Sequence, residues 1–376
     1  MILKELAPKL DKIFNKSLAL DWDMVGLQIG NLDKKINKIF ITLDTNRDAV
    51  KEAIISKSDL IISHHPLIFN PIETLVSENS IQNKIMGLIE NKIAVYIAHT
   101  NYDIMPGGLN ENIANKFDLI DISTIEPQHE MWYKFVVFVP KEYEEKIREV
   151  ICSHGGGKWR NYSCCTFNTS GRGTFKPMKG SKPYVGDVGS LSVIDEVRIE
   201  CVVNQSCIDD VVKSVVEVHP YEEVAYDVFR IENKFPGIGA GRLGELKSEE
   251  SLSDFFKIIK DKMKIKNFRW LAGRDINLKT KEIKKIAIIN GSANSLVQKL
   301  IASDCDLIVL GEISYHDALN LIENGKIVVD IGHGESEKLA IDNIYKKLRD
   351  YFKKNNFGIS LIKSKMGFNE WGYCIE

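Results

Sequence analysis

Three stretches near the start of the chain share one pattern, a short apolar run rich in β-branched residues that ends abruptly in polar ones. They are KIFITLDTN (residues 38–46), DLIISHHP (59–66) and KIAVYIAHTNYD (92–103). Because successive rather than alternate positions are apolar, each run reads as a strand buried on both faces. Between them, RDAVKEAIISK and SIQNKIMGLIENK carry apolar residues at helical spacing. The alternation predicts βαβ units with parallel strands. The pattern returns in KKIAIINGSAN (284–294), CDLIVLGEIS (305–314) and KIVVDIGHGESE (326–337), so six strands form two clusters in sequence.

The middle of the chain reads differently. Strand WYKFVVFVP, helix KEYEEKIREVICSHG, a strand around YSCCTFNT, a Gly-rich stretch, strand EVRIECVVN, helix CIDDVVKSVVEVH and strand EVAYDVFRIEN follow one another. That order is two βαβ halves, the pattern of a ferredoxin-like split unit. The expected plan is an α/β core with a mostly parallel sheet, whose halves (residues 1–127 and 236–376) flank an inserted α+β module (residues 128–235). KFPGIGAGRLGEL marks the return to the core. Its GAGRLG matches G-x-G-x-x-G but does not follow the first strand of a βαβ unit, so it reads as a turn-rich linker. GGGK at residues 155–158 lacks the spacing and hydroxyl of a P-loop.

In open parallel α/β sheets, ligands collect outside the carboxyl ends of the strands. The polar residues following the six apolar runs are Asp44, His64 with His65, His99 with Asp103, Asn290 with Ser292, Glu312 with His316, and His333 with Glu337. One histidine at a strand end is usually an ordinary satisfied polar residue. Five of the chain's eight histidines fall at these positions, however, and that joint placement points to ligands. His64 and His65 are adjacent on extended backbone, where successive side chains point to opposite sides, so they suit two different ions better than one. His333 and Glu337 lie four apart at the start of a helix and share a face. With Asp103 they make an imidazole and carboxylate set suited to Zn, Mn or Fe. Two ions served by five side chains need a shared ligand, for which Glu337 is the natural bridge. His99 and His316 suit hydrogen-bonded outer positions or proton transfer, and Glu312 can share that task. Trp22, Phe69 and Tyr102 flank these segments and can stack on a purine, but core packing is the expectation for all three.

A length of 376 residues exceeds the usual single domain and agrees with a two-domain plan. With 44% hydrophobic and 27% charged residues, the chain is a globular protein rather than a disordered or fibrous one. No apolar run reaches the roughly 18 to 20 residues of a membrane span. MILKELAPKLDKIF has no apolar signal-peptide region, so a cytoplasmic location is expected. The net charge of −2 carries no bulk footprint for nucleic acid, which argues against such a partner. Seven cysteines, at 152, 164, 165, 201, 207, 305 and 374, contain no CxxC pair and read as reduced thiols.

Taken together, LDWDMVGLQIG, SHHPLIF, AHTNYD, GEISYHDAL and GHGESE resemble the NIF3 family, whose members are often labelled GTP cyclohydrolase 1 type 2 homologues. SGRGTFKP and HPYEEVAYDV resemble the insert of its longer bacterial members, which is similar to PII and CutA proteins. The resemblance implies two divalent ions held by His64, His65, Asp103, His333 and Glu337, the set reached above from strand ends. It also implies a ring-shaped homohexamer with its metal sites facing an internal cavity, and a metal-dependent hydrolase acting on a small, nucleotide-like substrate. A non-catalytic metal-binding or regulatory factor, taking an effector through the insert, is the alternative. In that insert, His219 to Glu223 and the cations Lys158, Arg160 and Arg172 are candidates for regulation or assembly.

Overall fold

The computed structural model describes residues 1–77, 79–128, 131–159, 162–233 and 237–365. Arg160 and Cys374, named above, lie outside the described residues, as does the expected boundary at residue 235. The chain divides into two compact units, one made of Met1–Gln128 with Pro236–Glu376 and the other of His129–Phe235.

The strands of the first unit before the division are β1 (Gly26–Ile29), β2 (Lys38–Thr42), β3 (Leu60–Ser63), β4 (Ala94–Ile97) and β5 (Ile120–Pro127). The second unit holds β6 (Trp132–Pro140), β7 (Thr166–Phe175), β8 (Ser192–Asn204) and β9 (Tyr226–Ile231). The first unit resumes with β10 (Gly239–Ser251), β11 (Arg269–Leu271), β12 (Glu282–Ser292), β13 (Leu307–Glu312), β14 (Ile327–Asp330) and β15 (Ser360–Lys363).

Among the described residues, the first unit builds two sheets, ordered β1-β4-β3-β2-β15 and β11-β14-β13-β12-β10-β5. In the first sheet β2, β3, β4 and β15 run parallel, and β1 closes the edge antiparallel to β4. In the second sheet only β12, β13 and β14 are parallel, while β5, β10 and β11 pair antiparallel. The expectation of one mostly parallel sheet is therefore corrected to two mixed sheets. The apolar runs that suggested parallel pairing are the buried central strands. The added strands are partly exposed, so their sequences lack continuous apolar runs.

Every residue of β3, β4 and β14 is buried, as strands covered on both faces require. Phe40, Ile61 and Val95 of the first sheet pack with Ala49, Ala53, Ile85 and Leu88 from the helices Arg47–Ile55 and Ser80–Glu90. Asn46 starts the earlier helix by accepting the Ala49 N–H at 2.8 Å, which satisfies one orphan donor of the first turn. In the second sheet, Ala287, Ile289, Ile308, Leu310 and Val328 pack with Leu296, Val297, Leu300 and Leu321. GAGRLG is not a linker but the start of β10, where the absence of side chains at Gly239 and Gly241 admits the Glu126 carbonyl and Ile125 of β5. Its Arg242 is buried and donates to the carbonyls of Gly237, Gly239 and Gly241.

The second unit is an antiparallel sheet ordered β7-β8-β6-β9, with the helices Glu144–Ser153 and Gln205–Val218 between its strands in sequence. In chain order its strands lie 4-1-3-2, the split βαβ arrangement. On β8, Val197, Ile199, Cys201 and Val203 are buried while the residues between them are not, the period-2 signature of a sheet with one covered face. Those residues meet Phe135, Val137, Ile147, Ile151, Val211 and Val215 in the unit's core. The described cysteines are free thiols.

Candidate metal centre

The carboxyl ends of the parallel strands of both sheets converge. His64 and His65 follow β3, and His99 and Asp103 follow β4, with Asp103 on the short helix Thr100–Ile104. From the other sheet, Asn290 and Gly291 lie at the end of β12 and Glu312 ends β13. The turn after β14 leads through Gly332 into the helix His333–Glu337.

Glu337 stands at the centre, with only 2% of its surface exposed. Its Oε2 lies 2.7 Å from His65 Nε2 and 3.2 Å from His333 Nε2. Its Oε1 accepts from Asn290 Nδ2 at 3.2 Å and lies 3.8 Å from His64 Nε2. His64 Nε2 is in turn 3.5 Å from Asp103 Oδ1. His64 and His65 therefore turn one imidazole toward each oxygen of the same carboxylate, rather than pointing to opposite sides. Two groups, His65 with His333 and Glu337, and His64 with Asp103 and Glu337, bring their ligand atoms close enough to hold an ion, as does a third made of His64, His65 and His99.

Each imidazole is oriented from behind. His64 Nδ1 donates to the Ala98 carbonyl at 2.7 Å, which leaves the Nε2 lone pair facing Asp103 and Glu337. Asp44 Oδ1 holds His65 Nδ1 at 2.7 Å, and Glu312 Oε2 holds His333 Nδ1 at 3.1 Å. His99 Nδ1 pairs with Asp23 Oδ1 at 2.9 Å. Carboxylates and carbonyls behind imidazoles are the outer partners that set tautomer and direction in metal sites.

The residues fit a divalent cation. His64 Nε2 and Asp103 Oδ1 are buried and have no hydrogen-bond partner among the described residues, although buried polar atoms are normally satisfied. Two buried carboxylates, Asp103 and Glu337, also repel unless positive charge lies between them. Burial and the charge of Glu337 push the Asp103 carboxyl up to about 7 against the pull of His64. Burial likewise disfavours the Glu337 anion, but hydrogen bonds from His333 and His65 hold it well below the usual carboxylate range. Burial opposes a charge on His65, yet its bonds to Asp44 and Glu337 push it up to about 10. His333 is pushed up to about 9, chiefly by its bond to Glu337. A cation at this place competes with those protons for the same atoms.

All five expected ligands thus lie in one cluster, with His99 beside it at 5.3 Å from His64 and 5.6 Å from His65 between ring centroids. Glu312 touches the cluster through His333. His316 does not join it: the residue is exposed on the first turn of the helix Tyr315–Glu323, with its ring against Tyr315. Asp23 and the orienting role of Asp44 were missed, because nothing local marks a carboxylate that meets a histidine from a distant loop. Of the three flanking aromatics, Tyr102 is core, at 1% exposed. Trp22 and Phe69 are not, at 55% and 52%.

Comparison with known proteins agrees with this architecture over nearly the whole length. The GTP cyclohydrolase 1 type 2 homolog of Bacillus subtilis (strain 168) is 35% identical over 359 residues, 95% of each chain. A protein of that name in Listeria innocua is 34% identical over 367 residues, 97% of each. The crystal structure of a Bacillus cereus protein related to NIF3 superposes with a TM-score of 0.87 at 32% identity, covering 100% of this chain and 99% of that one. The model of the Duf34/NIF3 (NGG1p interacting factor 3) family matches residues 1–369, spanning both halves of the cluster, and the chain belongs to that family.

Proposed function

We propose that the cluster holds two divalent ions, one at His64, Asp103 and Glu337 and one at His65, His333 and Glu337, and that the protein is a metal-dependent hydrolase of a nucleotide-like substrate. The observation that carries this reading is the pair of buried atoms, His64 Nε2 and Asp103 Oδ1, that have no hydrogen-bond partner among the described residues and face a carboxylate whose other oxygen faces two more imidazoles. When bound, Zn, Mn or Fe would supply Lewis acidity and acidify a water molecule at this point.

The chain's own residues do the rest. Asp44 and Glu312 keep His65 and His333 aimed inward, and Asn290 keeps Glu337 in place. His99, fixed through Nδ1 by Asp23, presents Nε2 as the group that moves a proton to or from the substrate. The family relatives' name supports GTP as the first substrate to test. The split βαβ order of the second unit supports reading it as a PII/CutA-like module for assembly or effector binding. The homohexamer rests on the family resemblance. A cytoplasmic location is in keeping with the absence, among the described residues, of any helix long and apolar enough to cross a membrane.

The test is GTP incubation with protein reconstituted separately with Zn, Mn and anaerobic Fe(II), beside Glu337→Ala, with metal content measured and products identified by mass. Two ions per chain and metal-dependent loss of GTP, both absent from the variant, are expected. Full occupancy without turnover would overturn the hydrolase reading and leave a metal-binding or regulatory protein.

A further inference from the structure

Beside the metal centre, two large aromatic side chains face solvent where the chain could have buried them. Trp22 and Phe69 have ring centroids 5.8 Å apart, and Trp22 lies 6.2 Å from His99, whose ring borders both His64 and His65. Single exposed apolar residues are ordinary and need no explanation. This pair differs because polar ties fix both of its loops. The Gln28 amide donates to the carbonyls of Met24 and Ile68, both at 2.8 Å, and accepts the Ile68 N–H at 2.9 Å. Asp23, next to Trp22, is buried and binds His99 through one oxygen and the Thr100 N–H through the other, at 3.1 Å. The same carboxylate that orients the candidate proton carrier thus anchors the loop bearing the indole.

We infer that Trp22 forms a stacking shelf for the planar heteroaromatic ring of the substrate, a nucleobase, with Phe69, its plane tilted 51° to the indole, as the side wall of that shelf, and that the pair places the ring beside His99. The inference rests on the reading of the cluster as a hydrolytic site for a nucleotide-like molecule, and it assigns the part of that molecule recognised outside the ions. Stacking on an aromatic face tolerates any base and contributes through contact area and polarisability, not through hydrogen-bond readout. The shelf therefore discriminates ring from no ring more than one base from another. Because the ring contacts run Phe69, Trp22, His99 and then His64 or His65, a ring stacked on Trp22 lies next to the proton carrier.

The experiment uses the full chain labelled with 5-fluorotryptophan, whose five tryptophans give separate ¹⁹F signals, with Trp22 assigned by Trp22→Phe. GTP, ATP and UTP are titrated in, with inorganic triphosphate as the ring-free control, on metal-free and on Zn-loaded protein. The nucleotides should shift the Trp22 signal and triphosphate should not, and Phe69→Ala should weaken nucleotide binding about tenfold. A Trp22 signal that ignores all three nucleotides, or follows triphosphate equally, overturns the shelf. So does one that responds only to protein concentration, which would mean that a second copy of the chain covers it. Stacking requires neither turnover nor ions, so loss of the hydrolase reading would leave the nucleotide-induced shift in place. Failure of the shelf would conversely leave metal-dependent turnover intact.

Discussion

Gly291 offers a sharp test of the proposed metal centre because it borders the proposed shared ligand, Glu337, without belonging to the ligand set. Its backbone has φ +59°, and a Cβ built there would lie 2.6 Å from Glu337 Oε1 and 3.5 Å from His333 Nε2. Gly291→Ala therefore does two separable things. The left-handed conformation costs a side chain about 1–2 kcal/mol, which for a unit of this size lowers the melting temperature by roughly 2–8 °C. Ordinary contact needs 3.4 Å, so the carboxylate must retreat by the difference from 2.6 Å, about 0.8 Å. Metal–ligand distances tolerate only about ±0.2 Å. Since loss of a mere outer partner weakens metal binding about 10–100-fold, displacing the shared ligand should weaken it by at least about 100-fold. Zn titration by calorimetry, with elemental analysis after dialysis, measures the second effect, and a thermal melt of metal-free protein measures the first. Gly87→Ala is the control: the residue lies inside the helix Ser80–Glu90 with nothing within 4 Å of its added Cβ, so about 0.5–1 kcal/mol of stabilisation and unchanged metal binding are expected. A Gly291→Ala protein that melts lower yet binds Zn like the wild type would show that Oε1 of Glu337 is not a ligand.

Three further outcomes follow from single residues. Asp44→Ala removes the partner of His65 Nδ1 and should weaken Zn binding about 10–100-fold by calorimetry, whereas unchanged affinity would mean that His65 is aimed by packing alone. Arg242→Met leaves the carbonyls of Gly237, Gly239 and Gly241 without their buried donor and should lower stability by about 3 kcal/mol or more in urea denaturation; a loss under about 1 kcal/mol would refute that role. His219 donates through Nε2 to the Phe138 carbonyl at 3.0 Å and accepts the Tyr221 N–H through Nδ1 at 3.1 Å, so the folded second unit keeps it neutral and burial pushes its pKa down. The unfolded chain takes the proton first as pH falls below about 6.5. The stability His219 contributes is therefore whole above that pH and lost as pH drops through the folded pKa, and His219→Gln should flatten this acid-side slope in denaturation measured from pH 7.5 to 5.

The central strands could be read from the chain because a strand buried on both faces carries a near-continuous apolar run, as Leu60 to Ile62 and Ile327 to Val329 do before the polar Ser63 and Asp330. The candidate ligands could be read for a related reason: in parallel units the residue after such a run stands at the carboxyl end, where sites form. The βαβ halves of the second unit were legible through the alternation along β8 and the helical spacing of Gln205–Val218. By contrast, Gly26–Ile29 and Arg269–Leu271 are short edge strands without a buried run, and the division of the core into two sheets left no local trace.

What local sequence carries, then, is element type and which side chains stand at element ends, since backbone sterics and burial act over a few neighbouring residues. Which of those ends meet is a matter of packing between surfaces far apart in the chain. His65 reaches Glu337 across 272 positions, and His99 reaches Asp23 across 76. His316 and His333 look alike in sequence, each just beyond an apolar run, yet one turns to solvent and the other into the cluster. Trp22 and Tyr102 likewise flank similar motifs, but the packing of Phe14 against Tyr102 buries one ring while the Gln28 ties leave the other exposed beside His99. Such outcomes depend on the sum of many long-range contacts, and no window of sequence contains that sum.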